Sequence, residues 1–210
     1  MKLTPTEILN IFFHRKDVFA KQTNKGAYFP ERRHITIKDI ESHLKGEVTI
    51  GAYCLETDNT IKWACVDLDI KKHCKFCDSE RTYIDEYEWV CNDCHKKEHD
   101  DNLFLFKKEA LKVFDEFKGF RRMLEYTGRK GYHIWIFFKT PVSADYAKTL
   151  VRARLNKIGV SGHEIFPKQT ELNETRRFGN LVKIPFAKHK VSGQYSKVLK
   201  IGGWNNGNKT

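Results

Sequence analysis

Asp67 and Asp69 stand two apart at the end of an apolar run, Trp63-Ala64-Cys65-Val66. On a strand this spacing puts both carboxylates on one face, while Val66, Leu68 and Ile70 turn to the other. Two neighbouring carboxylates repel, and each resists ionising unless a positive charge intervenes. A divalent cation is the usual remedy, and oxygen-only ligation suits Mg2+ or Mn2+ better than zinc. The bland alternative is a pair of solvated acids at a strand end. Glu164, heading the short run Glu164-Ile165-Phe166, can complete a three-carboxylate metal site. Glu171 and Glu174 are the alternatives, though their Asn/Thr/Arg surroundings read as a solvated loop.

A second constellation is Thr127-Gly128-Arg129-Lys130-Gly131-Tyr132-His133. Glycines let backbone N–H groups approach an anion closely, and Arg129 and Lys130 add positive charge. His133 alternates with Ile134 and Ile136, so it is expected to face away from the buried side. With a hydroxyl and two cations before it, the segment points to a phosphate site rather than to a structural histidine. Downstream, Asn180 and Lys183 share one candidate strand, followed by a basic loop carrying His189 and Lys190. Each lysine alone also fits a solvated surface.

The third constellation is Cys74-x2-Cys77, thirteen residues, then Cys91-x2-Cys94. Two such pairs supply four thiolates to one tetrahedral ion and leave no open position for water, which indicates a structural Zn2+. The intervening segment has too few apolar residues to fold alone, so metal binding would supply its folding energy. His73, His95 and His99 are the runners-up for one ligand position. Cys54 and Cys65 lie inside strand-like runs and read as small core residues.

The elements that must hold these groups are legible in outline. Thr4-Pro5-Thr6-Glu7 carries a cap, a first-turn proline and a glutamate at the third position, predicting a helix near 5–15. Thr36 opens a second helix with Ile37, Ile40 and Leu44 on one face and Gly46 as its stop. Runs 47–55 and 61–70 read as a hairpin across the polar link 56–60. After residues 71–101 a third helix is expected at about 102–117, then strands at 123–127 and 132–138 around a tight loop. The second of these is central because it is apolar throughout. Ser143 caps a fourth helix to about Ile158, and strands at 164–166, 180–186 and 197–201 close the chain. The order suggests an α+β fold, a mixed sheet with helices on one face.

Lys and Arg number 38 against 27 acids, a net charge of +11, and the stretch 176–210 holds eight Lys/Arg and no acid. Such a surface attracts polyanions, nucleic acid above all. No apolar run approaches a membrane span, and no signal-peptide pattern opens the chain, so a cytoplasmic protein with no membrane partner is expected.

Taken together, a strand-end Asp-x-Asp, a Gly-x-x-Gly-x-His loop entering a hydrophobic strand and a downstream acid resemble the three-motif signature of the archaeo-eukaryotic primase superfamily. The wording is closest to the primase domains of TOTE conflict systems and CRISPR-associated primase-polymerases. The likeness runs through 46–51, 64–69, 131–138, 164–169 and 179–185. It implies an RRM-like mixed-sheet catalytic palm (47–210), an N-terminal αβ module (1–46) and an inserted zinc knuckle (71–101). It also implies a DNA primase-polymerase that extends or starts strands from nucleoside or deoxynucleoside triphosphates on a single-stranded DNA template. Asp67, Asp69 and Glu164 would hold two Mg2+ or Mn2+, and Thr127, Arg129 and His133 would contact the triphosphate. Asn180, Lys183, His189 and Lys190 would line the same nucleotide site or that of the initiating nucleotide. The zinc segment would help hold the template or the first nucleotide's 5′ phosphates, and other domains of a longer CRISPR or conflict-system protein would be partners. Thr127 stands where many relatives have serine, and Glu164 where many have aspartate. A two-metal nuclease, or a non-catalytic zinc-containing nucleic-acid-binding module, is the alternative.

Overall fold

The Glu7 N–H donates to the Thr4 hydroxyl and the Thr4 N–H donates to the Glu7 carboxylate, so helix α1 (Pro5–Phe12) starts at a complete capping box. Helix α2 (Ile37–Leu44) begins the same way from Thr36 and Asp39, with Arg33 clamping the Asp39 carboxylate through two nitrogens. The computed structural model describes residues 3–69, 74, 76–79, 81–83, 88–91, 93–99, 101–129, 131–190 and 192–204.

Five strands form the larger sheet, in the order β10 (Glu164–Phe166), β4 (Thr60–Asp69), β9 (Gly131–Ser143), β8 (Arg121–Tyr126), β12 (Lys197–Gly202). Helix α3 (Asp101–Glu116) connects β4 to β8, and α4 (Ala144–Lys157), capped by Ser143, connects β9 to β10. A second sheet runs β11 (Leu181–Lys183), β3 (Ile50–Tyr53), β1 (Phe19–Gln22), β2 (Tyr28–Glu31). Three short strands, β5 (Arg81–Tyr83), β6 (Glu88–Cys91) and β7 (Lys97–His99), form a third sheet within the segment after β4.

Two expectations are corrected here. The sheet is not mixed: every pairing between described strands is antiparallel. The α3 crossover makes β4 and β8 run the same way, but β9 returns between them, so these two never become neighbours. Runs 47–55 and 61–70 are not a hairpin either. The chain does turn tightly at Glu56–Thr60, yet β3 pairs with β1 and β11 while both edges of β4 are taken by β9 and β10.

Nor do all helices lie on one face. Val66, Leu68, Ile134 and Ile136 turn to the side where α3 and α4 pack, and Arg122 donates there to the Phe114 carbonyl of α3. On the other face Trp63, Trp135 and Phe137 meet α1. The Trp63 indole donates to the Phe12 carbonyl at 2.8 Å, and the Phe12 ring stands edge-on to Trp135 at 5.0 Å. Each buried indole removes about 200 Å² from water, roughly 5 kcal/mol gross as an upper bound. Helix α1 thus seals one end of this face, and the end carrying Asp67 and His133 stays open.

Candidate active site

Register alone assembles the centre. Glu164 on β10 lies opposite Asp67 on β4, Asp67 opposite His133 on β9, and His133 opposite Glu125 on β8. Directly opposed residues of antiparallel strands share a face. Four ionisable side chains therefore cross four strands in one row, each about 5 Å from the next. Asp69 lies two residues along on the same face, opposite Gly131. A Cβ on Gly131 would sit 2.0 Å from the Leu68 carbonyl oxygen, so only glycine lets the loop meet β4 here.

His133 is held from both sides. Its Nδ1–H donates to Glu125 Oε2 at 3.2 Å and its Nε2 lies 3.6 Å from Asp67 Oδ1. The Trp135 indole donates to the same Glu125 oxygen at 2.9 Å, and Lys183 Nζ lies 3.5 Å from the other. Burial works against charge on Glu125, but Lys183 beside it and the bonds from His133 and Trp135 hold its carboxyl at about 2. For His133 burial opposes the imidazolium, and the two flanking carboxylates outweigh it, so its pKa lies above the ordinary imidazole value. His133 does turn to the face opposite Ile134 and Ile136, yet it is only 6% exposed, because Asp67, Glu125 and Trp135 pack around its ring at the floor of the open end.

A cleft of about 280 Å³ opens over the middle of this row, at Asp67 and His133, with neither Glu164 nor Glu125 in its lining. Asp67, Asp69 and His133 form its floor, Thr127 and Arg129 one rim, and Lys183 and His189 another. Gln22 and Tyr28 of the second sheet complete the wall. The rim loop is braced from outside: Ser192 Oγ donates to the Gly128 carbonyl at 2.7 Å, and Gly128, at φ +85°, packs against residues 194–196.

Two expected members lie elsewhere. Lys190 donates to the Gly46 and Glu47 carbonyls, bracing the end of α2, and Asn180 Oδ1 accepts from the Gln169 N–H. Lys130 falls outside the described residues, as does His73. Glu164 is in register with Asp67, but its carboxylate is more than half exposed and paired with Lys168 at 2.7 Å. Bringing it to a shared cation means releasing an exposed ion pair, which costs about 1 kcal/mol at most. By donor type the oxygens of Asp67, Asp69 and Glu164 suit a hard divalent ion, but the structure does not gather them: the three carboxylates do not come within 4.8 Å of one another as a group.

Sequence reading missed Glu125, Gln22 and Tyr28. An isolated carboxylate inside an apolar strand, as in Met123-Leu124-Glu125-Tyr126, was the available signal for the first. The other two sit on short polar strands with no periodicity to mark them.

In the insertion, the four sulfurs of Cys74, Cys77, Cys91 and Cys94 lie within 4.8 Å of one another. Two of the separations are 3.3 Å (Cys77–Cys91) and 3.6 Å (Cys74–Cys94). A tetrahedron with 2.3 Å Zn–S bonds needs about 3.8 Å between sulfurs, so the set is close to the geometry zinc requires. The N–H groups of Phe76 and Cys94 donate to Cys74 and Cys91 sulfurs, the pattern of two knuckle turns. Among the described residues this is the one group of three or more such side chains so closely gathered.

A family model for the archaeo-eukaryotic primase domain of TOTE conflict systems matches residues 7–201. The chain belongs to this primase family. None of the curated proteins matches it. For a primase domain the general role is nucleotidyl transfer, with nucleoside triphosphates and nucleic acid as substrates. Among the described residues no helix is long and apolar enough to cross a membrane.

Proposed function

We propose that the protein is a template-directed DNA primase-polymerase, able to begin a strand on single-stranded DNA as well as extend one, and that its 47–210 segment is an RRM-like palm served by the 1–46 module. The observation carrying this reading is the transverse row Glu164–Asp67–His133–Glu125 together with the cleft over Asp67, Asp69 and His133, whose rims carry Arg129, Lys183 and His189. The strand order β10-β4-β9-β8 with crossovers α3 and α4 supports the palm, being the split β-α-β arrangement.

Asp67, Asp69 and Glu164 would hold two Mg2+ or Mn2+ ions, which when bound stabilise charge on the attacking and leaving oxygens. The chain's own groups do the rest. His133, whose imidazolium Asp67 and Glu125 favour against burial, and Lys183, Arg129 and the Thr127 hydroxyl grip the triphosphate and meet the charge that grows on it. The 3′-hydroxyl oxygen bonds to the α-phosphorus, pyrophosphate leaves with the electron pair of the broken P–O bond, and the hydroxyl proton passes to solvent. Glu125 touches no substrate; it positions the imidazole and fixes its Nδ1 proton.

The test is incubation with an unprimed single-stranded DNA template, NTPs or dNTPs, and Mn2+. New labelled oligomers are expected. Shortening of the template instead would favour the nuclease reading, and no change in either strand would favour a binding module.

A further inference from the structure

A second groove, of about 380 Å³, lies on the other side of Glu164, between α4 and β10. Lys148 and Arg152 enter it from α4, one turn apart, and Lys168 enters from the segment after β10. The last polar side chain of this helix face, Asn156, continues the line. The basic residues on the helix's opposite side are already committed, Arg154 and Lys157 both pairing with Glu116. His163, at the floor, is tied to Glu109 at 3.2 Å. Lys148 donates to the Lys168 carbonyl, which draws the two lysines together. Against three cations the groove lining has one carboxylate, that of Glu164 itself. The carbonyls of Leu155, Asn156 and Ile158 that end α4 are occupied by Val160, Gly159 and Lys112, so the helix terminus adds little negative field.

Position gives this cationic groove a meaning. In an in-line displacement the attacking and leaving oxygens approach phosphorus from opposite sides. With the triphosphate over His133 and Lys183, the attacking hydroxyl must arrive from the Glu164 end of the row. We propose that the α4–β10 groove seats the terminal phosphodiesters of the growing strand, with Lys148 and Arg152 on the phosphates and Lys168 exchanging its Glu164 partner for the strand as Glu164 turns to the metal site. This rests on the nucleotidyl-transfer reading and adds to it the side from which the strand enters.

The test uses Lys148→Ala/Arg152→Ala in the full chain, with three readouts: anisotropy of a labelled hairpin with a recessed 3′ end across a salt series, equilibrium binding of a triphosphate with Mn2+, and thermal melting. Losing two phosphate contacts should weaken hairpin binding about tenfold or more at low salt and flatten the log K against log salt slope by about 1.5. Triphosphate binding and melting should match wild type. Hairpin affinity and slope unchanged within about twofold would overturn the proposal, as would loss of triphosphate binding with hairpin binding intact. If wild type makes no product from NTPs or dNTPs, the nucleotidyl-transfer reading fails, while the anisotropy comparison still decides whether the groove binds a strand.

Discussion

Glu125→Gln isolates the charge that organises the centre while keeping its shape. The amide can still accept from Trp135, but it leaves Lys183 without its buried counter-charge and His133 with Asp67 alone. The gap between a folded carboxyl at about 2 and the ordinary 4.5 corresponds to about 3 kcal/mol of stability at neutral pH. Removing one member of a buried charge cluster costs about 3–5 kcal/mol by an independent route, so the two agree. For a chain of this length the melting temperature should fall by about 6–12 °C. Because the folded pKa is depressed, this contribution is complete above pH 4.5 and is lost as pH falls towards 2. Urea unfolding at pH 7 measures the loss. A second variant, Lys183→Met combined with Glu125→Gln, should restore about 1–3 kcal/mol, since it removes the stranded cation as well. A loss under about 1 kcal/mol for Glu125→Gln, with no coupling to Lys183, would refute the reasoning that this carboxylate anchors the cluster.

Other consequences reach outward from the centre. His43 is buried and bridges two elements, accepting from the Ile50 N–H and donating to the Pro185 carbonyl, and burial pushes its pKa down to about 4. The unfolded chain therefore takes up a proton first, and about 3 kcal/mol should drain away between pH 6.5 and 4; His43→Gln should flatten unfolding free energy over that window. Gly131→Ala must push a methyl into the Leu68 carbonyl, so melting should drop by several degrees and triphosphate affinity by tenfold or more. Chelation with a strong zinc chelator should release one Zn2+ per chain, measurable by metal analysis, and remove the hydrogen-exchange protection of β5, β6 and β7 while leaving β4 and β9 protected.

Much of this was legible before any coordinates. The cap, proline and glutamate at Thr4–Glu7, the Thr36 and Ser143 caps, the central strand expected at 132–138 and the doubled Cys-x2-Cys announce themselves through local chemistry and appear where expected, although that strand runs on to Ser143. What failed was pairing. A tight turn at Glu56–Thr60 says that the chain reverses, not which neighbours the strands will choose, and here β3 and β4 join different sheets. The site followed the same division. The period-2 rule put Asp67 and Asp69 on one face, but that Glu125 would stand beside His133 depends on β8–β9 register. That Tyr28 and Gln22 would wall the cleft depends on a sheet assembled from residues more than 150 positions apart. Lys190 and Asn180 were read from a basic, polar stretch, and composition cannot tell a lysine that meets substrate from one that braces the loop after a helix.

Counting Mn2+ by electron paramagnetic resonance on the zinc-loaded protein, with a non-hydrolysable triphosphate present, tests the acid row most directly. Two ions per chain are expected for wild type and at most one weak ion for Asp67→Asn/Asp69→Asn, with zinc content and circular dichroism unchanged. Equal Mn2+ binding in the two proteins would contradict the account.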